Sequence, residues 1–281
     1  MFKFRIIGFA LLMALLGGIF FWESGGVWLF IAAAPAMVGA AVGECCSMLN
    51  KSGKPALVTP TALVVWLAAV GCTMGFIFPA ARLAVLMLGA LVILSCCAAL
   101  LSMNEDIMRK IFNSAGAVLL FAPSLILLLC SYFLPARCGQ QGVWLIFLCL
   151  VTKATDTGGY IVGTLTSKLP GGNHKIAPKV SPKKSYEGLL GGLILSVAVS
   201  LTFYTVAPEA GRNWYILAAV VLSFGSFFGD LTESAVKRFC DIKDSGSFVP
   251  GMGGAFDVLD SFIYNGLLFF PLYFLKDIIW V

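Results

Sequence analysis

The sequence predicts an all-α polytopic membrane protein of about nine transmembrane helices, with the N-terminus cytoplasmic and the C-terminus outside. Three observations carry that expectation. Of 281 residues, 59% are apolar before any of the 30 glycines is counted. Only 12% are charged, about half the share found in soluble domains. Mean hydropathy is +0.95, and at about 20 apolar residues per span the chain has room for roughly eight to ten spans. A soluble globular enzyme, a disordered chain and a disulfide-stapled secreted module are excluded.

The expected spans are 5–22, 27–43, 61–79, 82–101, 114–134, 142–163, 188–207, 214–233 and 255–276. The first follows Met1-Phe-Lys-Phe-Arg. It lacks a small-residue cleavage site before Trp22-Glu23, so it reads as a retained span rather than a signal peptide. Each later cut carries loop punctuation: Glu23-Ser24-Gly25-Gly26, the stretch Asn50–Pro60, Pro79, Asn104–Asn113 and Pro135–Gly142. The long segment 164–187, Pro208–Asn213 and 234–254 complete the set.

The net charge of +5 is the surplus expected where cytoplasmic loops face anionic headgroups, and no nucleic-acid partner is implied. With the N-terminus inside, cytoplasmic segments hold 14 of the 19 basic residues and outside segments hold 4 (Arg82, Arg137, Arg212 and Lys276). That split predicts an integral protein of the cell (inner/plasma) membrane. Lys153 alone is left within a span. Nine cysteines include the adjacent pairs Cys45–Cys46 and Cys96–Cys97, with no CxxC and a single histidine, His174. They read as small hydrophobes rather than zinc ligands.

Acidic residues divide unevenly. Residues 1–150 hold four (Glu23, Glu44, Glu105 and Asp106) and 151–281 hold ten. Carboxylates at membrane depth must face a polar cavity, a metal or one another. Residues 1–150 are therefore expected to be anchor and scaffold. Residues 151–281 are expected to be the catalytic region, with cytoplasmic loops 164–187 and 234–254.

Three constellations follow. Lys153, Asp156 and Tyr160 lie at i, i+3, i+7 on one helical face. They form either a self-neutralising pair or the edge of a polar site. The loop 167–188 carries Gly171-Gly172, Lys175, Lys179 and Ser181-Pro-Lys183-Lys184-Ser-Tyr-Glu187-Gly188. It is either a positive-inside tether or, with its prolines and hydroxyl donors, a structured phosphate clamp. The third is the most specific. Asp230, Glu233, Ser234 and Lys237 form one stripe, followed by Arg238, Lys243 and Asp244, a Pro250-Gly-Met252-Gly253-Gly254 turn, and Asp257 with Asp260. Two carboxylate faces joined by a glycine-rich turn can converge on a hard divalent cation such as Mg²⁺, or form an interhelical salt-bridge network.

At these residues the chain resembles the phosphatidate cytidylyltransferase (CDP-diacylglycerol synthase) family. Ser234, Lys237-Arg238, Lys243-Asp244, Gly246, Pro250, Gly253-Gly254, Asp257 and Asp260 match its signature spacing. The segments at Asp156, at Ser181–Gly188 and at Gly229-Asp230 look like its other motifs. The specific match covers about 151–261. Met252 stands where the family has His, Val258 where it usually has Arg, and Ala255 replaces a larger apolar residue.

The resemblance implies transfer of a cytidylyl group from CTP to phosphatidate at the cytoplasmic face of the membrane, within membrane lipid. It implies Mg²⁺ on Asp230, Asp257 and Asp260. Lys237, Arg238, Lys183 and Lys184 would bind phosphates, and Asp156, Ser181, Glu187, Glu233, Ser234, Lys243, Asp244, Gly253 and Gly254 would lie in the substrate site. A homodimer is left open. The rival expectations are a CTP-dependent lipid kinase of the polyprenol or phytol type and a membrane transporter.

Overall fold

The computed structural model describes residues 14–23, 25–101, 104–246, 248 and 253–279. Residues 5–13, half of the first expected span, and Met252 lie outside them. Residues 14–21 are helical. Each of the other eight apolar stretches coincides with helix. Seven helices among the described residues are long and apolar enough to cross a membrane, and Val58–Met74 is apolar but shorter. The protein is thus an all-α membrane protein; the last of the seven, Ala255–Asp277, contains a 3₁₀ turn. The chain forms two compact units, residues 1–130 with 239–259, and 131–238 with 260–281. All nine cysteines are free.

The first unit contains α1 (Gly26–Lys51), α2 (Val58–Met74), α3 (Ala80–Leu101) and α4 (Glu105–Cys130). Helices α1 and α2 approach through small residues, because lipid supplies no hydrophobic drive between apolar helices and close backbone packing must serve instead. A Cβ at Gly39 would stand 2.9 Å from that of Trp66. The α1–α2 turn is closed by Asn50, whose Nδ2 donates to the Ala56 carbonyl (2.9 Å) and whose Oδ1 accepts the Ala56 N–H (2.7 Å). Asn104 Oδ1 accepts from Asp106 and Ile107 N–H at 3.0 and 3.1 Å, capping α4. None of the spanning window of α3 is buried, although it is strongly apolar, with Arg82 its one charged residue. Such a face suits hydrocarbon, not water.

The second unit contains α5 (Val143–Thr166), the hairpin β1 (Lys175–Ala177) and β2 (Ser181–Ser185), α6 (Tyr186–Val206) and α7 (Arg212–Phe239). Its centre is aromatic. Trp144, Phe147, Trp214, Tyr215 and Phe269 are all fully buried, and Trp144 meets Trp214 edge-on at 5.5 Å between centroids. Helices α5 and α6 pack through glycines: a Cβ at Gly158 would lie 2.6 Å from the Gly191 carbonyl, and one at Gly192 would lie 2.6 Å from that of Thr155.

Glu209, just before α7, is buried. Its carboxylate accepts the N–H groups of Arg137 and Cys138. Burial alone would raise its carboxyl, but those donors outweigh it, so the group sits below its ordinary value.

Two features depart from the expected pattern. The segment 164–187 is not a bare loop: β1 and β2 pair antiparallel within it. Also, the stretch 255–276 is not one helix. It begins as α8 (Ala255–Leu259), tightens to a 3₁₀ turn at Asp260–Phe262 and resumes as α9 (Asn265–Ile279). At the break the Asp260 carboxylate competes for a local backbone donor, accepting the Ser261 N–H, whereas Asp257 accepts the Gly254 N–H at 2.9 Å at the start of α8.

Candidate active site

The site lies in the second unit, where four elements bring charged side chains together. On α7, Asp230, Glu233 and Lys237 share a face at i, i+3, i+7. The 3₁₀ turn adds Asp260. It can lie against α7 because residue 229 is glycine: a Cβ there would stand 2.5 Å from the Asp260 carbonyl. One carboxylate oxygen each from Asp230, Glu233 and Asp260 falls within 4.8 Å of the others. Three acids so close repel strongly unless cations answer them.

The chain supplies lysines. Glu233, only 4% exposed, pairs with Lys237 one turn on. Lys184, from β2, lies 2.8 Å from Asp230, donates to the Phe227 carbonyl at 2.9 Å and sits over the Phe227 ring. From α5, Lys153 contacts Asp156 at 3.1 Å and donates to Ser261 Oγ at 2.8 Å. Asp156 accepts from Ser226 Oγ at 2.9 Å. The pair on α5 is therefore joined to α7 and to the 3₁₀ turn, and is not self-contained.

Beside this cluster a cavity of about 470 Å³ opens between α5, the hairpin and α6. Asp156, Tyr160, Lys175, Lys183, Lys184 and Asp230 are among its lining residues. Its floor is the glycine seam of Gly159, Gly163 and Gly188, which keeps bulk out of the cleft. Ser185 caps α6 by accepting Gly188 N–H at 3.1 Å. Asn173 ties the turn to α5 by donating to the Gly163 carbonyl at 2.8 Å.

Hard oxygen donors, apolar surroundings and a lysine-lined cavity suit a divalent cation with phosphate groups. Residues 3–276 match the cytidylyltransferase family.

This chain belongs to the cytidylyltransferase family.

Similar proteins include a phosphatidate cytidylyltransferase of Staphylococcus epidermidis, 38% identical over 135 residues, covering 47% of this chain and 49% of the relative. That of Bacillus subtilis is 39% identical over 136 residues, with 47% and 49% covered. That of Staphylococcus saprophyticus is 41% identical over 122 residues, with 43% and 45% covered. The chain thus spans about half the length of the curated relatives it matches.

Of the family-signature residues expected in the site, the second unit brings together Asp156, Lys184, Asp230, Glu233, Lys237 and Asp260. Ser181 and Lys183 line the cavity. Glu187 turns elsewhere: its carboxylate accepts His174 N–H and meets His174 Nδ1 at 2.6 Å, bracing the hairpin. Ser234 is half-buried on α7, and Arg238 is exposed at its end.

Lys243, Asp244, Gly253, Gly254 and Asp257 belong to the first unit. There Lys243 and Asp244 are exposed. Gly253 has φ +106, and a Cβ on it would stand 2.6 Å from the Asp257 carboxylate. Two contributors went unnoticed in the sequence reading. Ser226 sits one turn before Asp230 on the same helical face, a spacing that could have flagged it. Ser261 directly follows Asp260, but only its contact with Lys153 distinguishes it.

Proposed function

We propose that this protein transfers the cytidylyl group of CTP to phosphatidate, releasing pyrophosphate and forming CDP-diacylglycerol, at the cytoplasmic face of the cell membrane. The observation that carries the reading is the Asp230–Glu233–Asp260 cluster beside a lysine-lined cavity, in a chain of the cytidylyltransferase family. The names of the similar proteins support the substrate pair. The excess of basic residues in segments 164–187 and 234–254 supports the cytoplasmic side.

A phosphate oxygen of phosphatidate would attack the α-phosphorus of CTP. The bond from that phosphorus to the bridging oxygen breaks, and pyrophosphate leaves with the electron pair. The attacking oxygen is already anionic near neutral pH, so the chain's residues need only bind, align and neutralise.

Lys183, Lys184 and Lys175 at the cavity would receive phosphate oxygens. Lys237 is placed by Glu233, and Lys153 by Asp156 and Ser261, to offset charge beside the carboxylates. Asp230, Glu233 and Asp260 would hold Mg²⁺, and their all-oxygen donor set fits it. When bound, that ion would offset the triphosphate's charge. A part for Asp257 in metal binding rests on the sequence pattern alone. One chain supplies every group named, and a homodimer is not required.

The test uses purified protein with phosphatidate and CTP labelled at either the α- or the γ-phosphate. The reading expects α-label in the lipid product and γ-label in pyrophosphate. A γ-label in lipid would instead mean a kinase.

A further inference from the structure

The first unit holds an acid that the site as described does not use. Glu44 projects from α1, flanked by the buried residues Ala41, Val42, Cys45 and Cys46. Its Oε2 accepts Ser245 Oγ at 3.1 Å and the Phe256 backbone N–H at 3.0 Å, partners 201 and 212 residues away in sequence. Ser245 and Phe256 are themselves buried. They bracket the glycine-rich signature segment, in which Gly246 and Gly254 both lack room for a side chain: a Cβ at either would collide with the Glu44 carboxylate. These two glycines are thus required by the acid they pack against.

The arrangement extends one step further. Gly254 precedes α8, and its N–H donates to Asp257 Oδ2 at 2.9 Å, three residues on. This is the reciprocal half of a capping box. The orientation of the Asp257 carboxylate therefore depends on where Gly254 sits. Glu44 determines that position, by occupying the space beside Gly254 and by holding Phe256 N–H. Phe256 is also clamped edge-on by Phe121, at 4.9 Å between ring centroids.

We propose that Glu44 is a positioning residue for cytidylyl transfer, a membrane-helix carboxylate that holds Ser245 and Phe256 in place and, through Gly254, sets the aim of Asp257. The inference rests on the functional reading above.

The test compares wild type with Glu44→Ala and Glu44→Gln in lipid nanodiscs, by steady-state kinetics and by amide hydrogen exchange at residues 253–257. Glu44→Ala removes the acceptor of both bonds. It should lower kcat about 100-fold, the scale of a small misplacement of reacting groups, with KM for phosphatidate unchanged within about twofold. The amides of Gly254 and Phe256 should exchange faster. Glu44→Gln keeps an oxygen that can accept the same two bonds, so it should restore kcat to within about tenfold of wild type and restore the slow exchange.

Wild-type kcat in Glu44→Ala, or a loss of folded protein with kcat per folded molecule unchanged, would overturn the proposal. If Glu44→Ala does not accumulate, Ser245→Ala and Glu44→Asp replace it and should show the same kcat loss and faster exchange. If wild type itself transfers no cytidylyl group, the functional reading fails, and amide exchange alone decides whether Glu44 holds Phe256 in place.

Discussion

Two groups of acids flank the same helix and are treated in opposite ways. Glu209 stands just before α7 and Glu233 near its other end, about 36 Å apart at roughly 1.5 Å of rise per residue. That is somewhat more than the hydrocarbon thickness of a bilayer, about 30 Å. Glu209 meets donors only, the backbone N–H groups of Arg137 and Cys138. Glu233 meets Lys237 but also two more carboxylates, Asp230 and Asp260. A carboxylate satisfied by backbone donors is finished as a structural device. A carboxylate placed against its own kind raises the cost of folding; Lys237 and Lys184 offset part of that cost here, and a bound cation would offset more.

The sharpest way to break this contrast is Asp230→Asn. It should lower turnover about 1000-fold, in line with the several kcal/mol a metal supplies to transition-state charge. The melting temperature should change little, because the repulsion removed is offset by the lost pair with Lys184. Rates from CTP titrations and thermal unfolding in detergent check both halves.

Glu209→Ala should do the reverse. Leaving two backbone donors without their acceptor should cost about 2–3 kcal/mol of stability, while activity per folded molecule stays near wild type. Next in size is Gly158→Ala. Its methyl group would meet backbone rather than a flexible side chain, so about 1–2 kcal/mol of overpacking is expected, again by thermal unfolding.

A smaller effect separates the two acid groups by pH. Glu209 is held below its ordinary 4.5 by the Arg137 and Cys138 donors, against the opposing effect of burial. The folded protein therefore binds this proton less readily than the unfolded chain. Its stabilisation is present above about pH 4.5 and fades as pH falls through the folded value. The melting temperature of Glu209→Gln should lack that share of the acid-side decline. Smallest of all, Glu105→Gln removes only an exposed pair with Arg109 at 3.8 Å, and no measurable change in melting temperature is expected.

The helices were legible because hydropathy is a local signal, and so was the stripe of Asp230, Glu233 and Lys237, which periodicity places on one face. What faces that stripe was not legible. The hairpin strand Ser181-Pro-Lys-Lys-Ser has no apolar residue to betray its pairing. The break at Asp260 follows from side chains bonding to nearby backbone, which composition averages away. Asp257 and Asp260 look equivalent at i, i+3, yet they fall in different compact units. Glu44 carried no site expectation, since a partner more than 200 residues distant leaves no trace in local spacing.

The central claim is that Asp230, Glu233 and Asp260 form a cation site while Glu209 does not. Its most direct test is Mn²⁺ binding, read by electron paramagnetic resonance with CTP present, for wild type, Asp260→Asn and Glu209→Gln. The account predicts that Asp260→Asn weakens Mn²⁺ binding about 10- to 100-fold and that Glu209→Gln leaves it at the wild-type value. Mn²⁺ bound as tightly by Asp260→Asn as by wild type would contradict it.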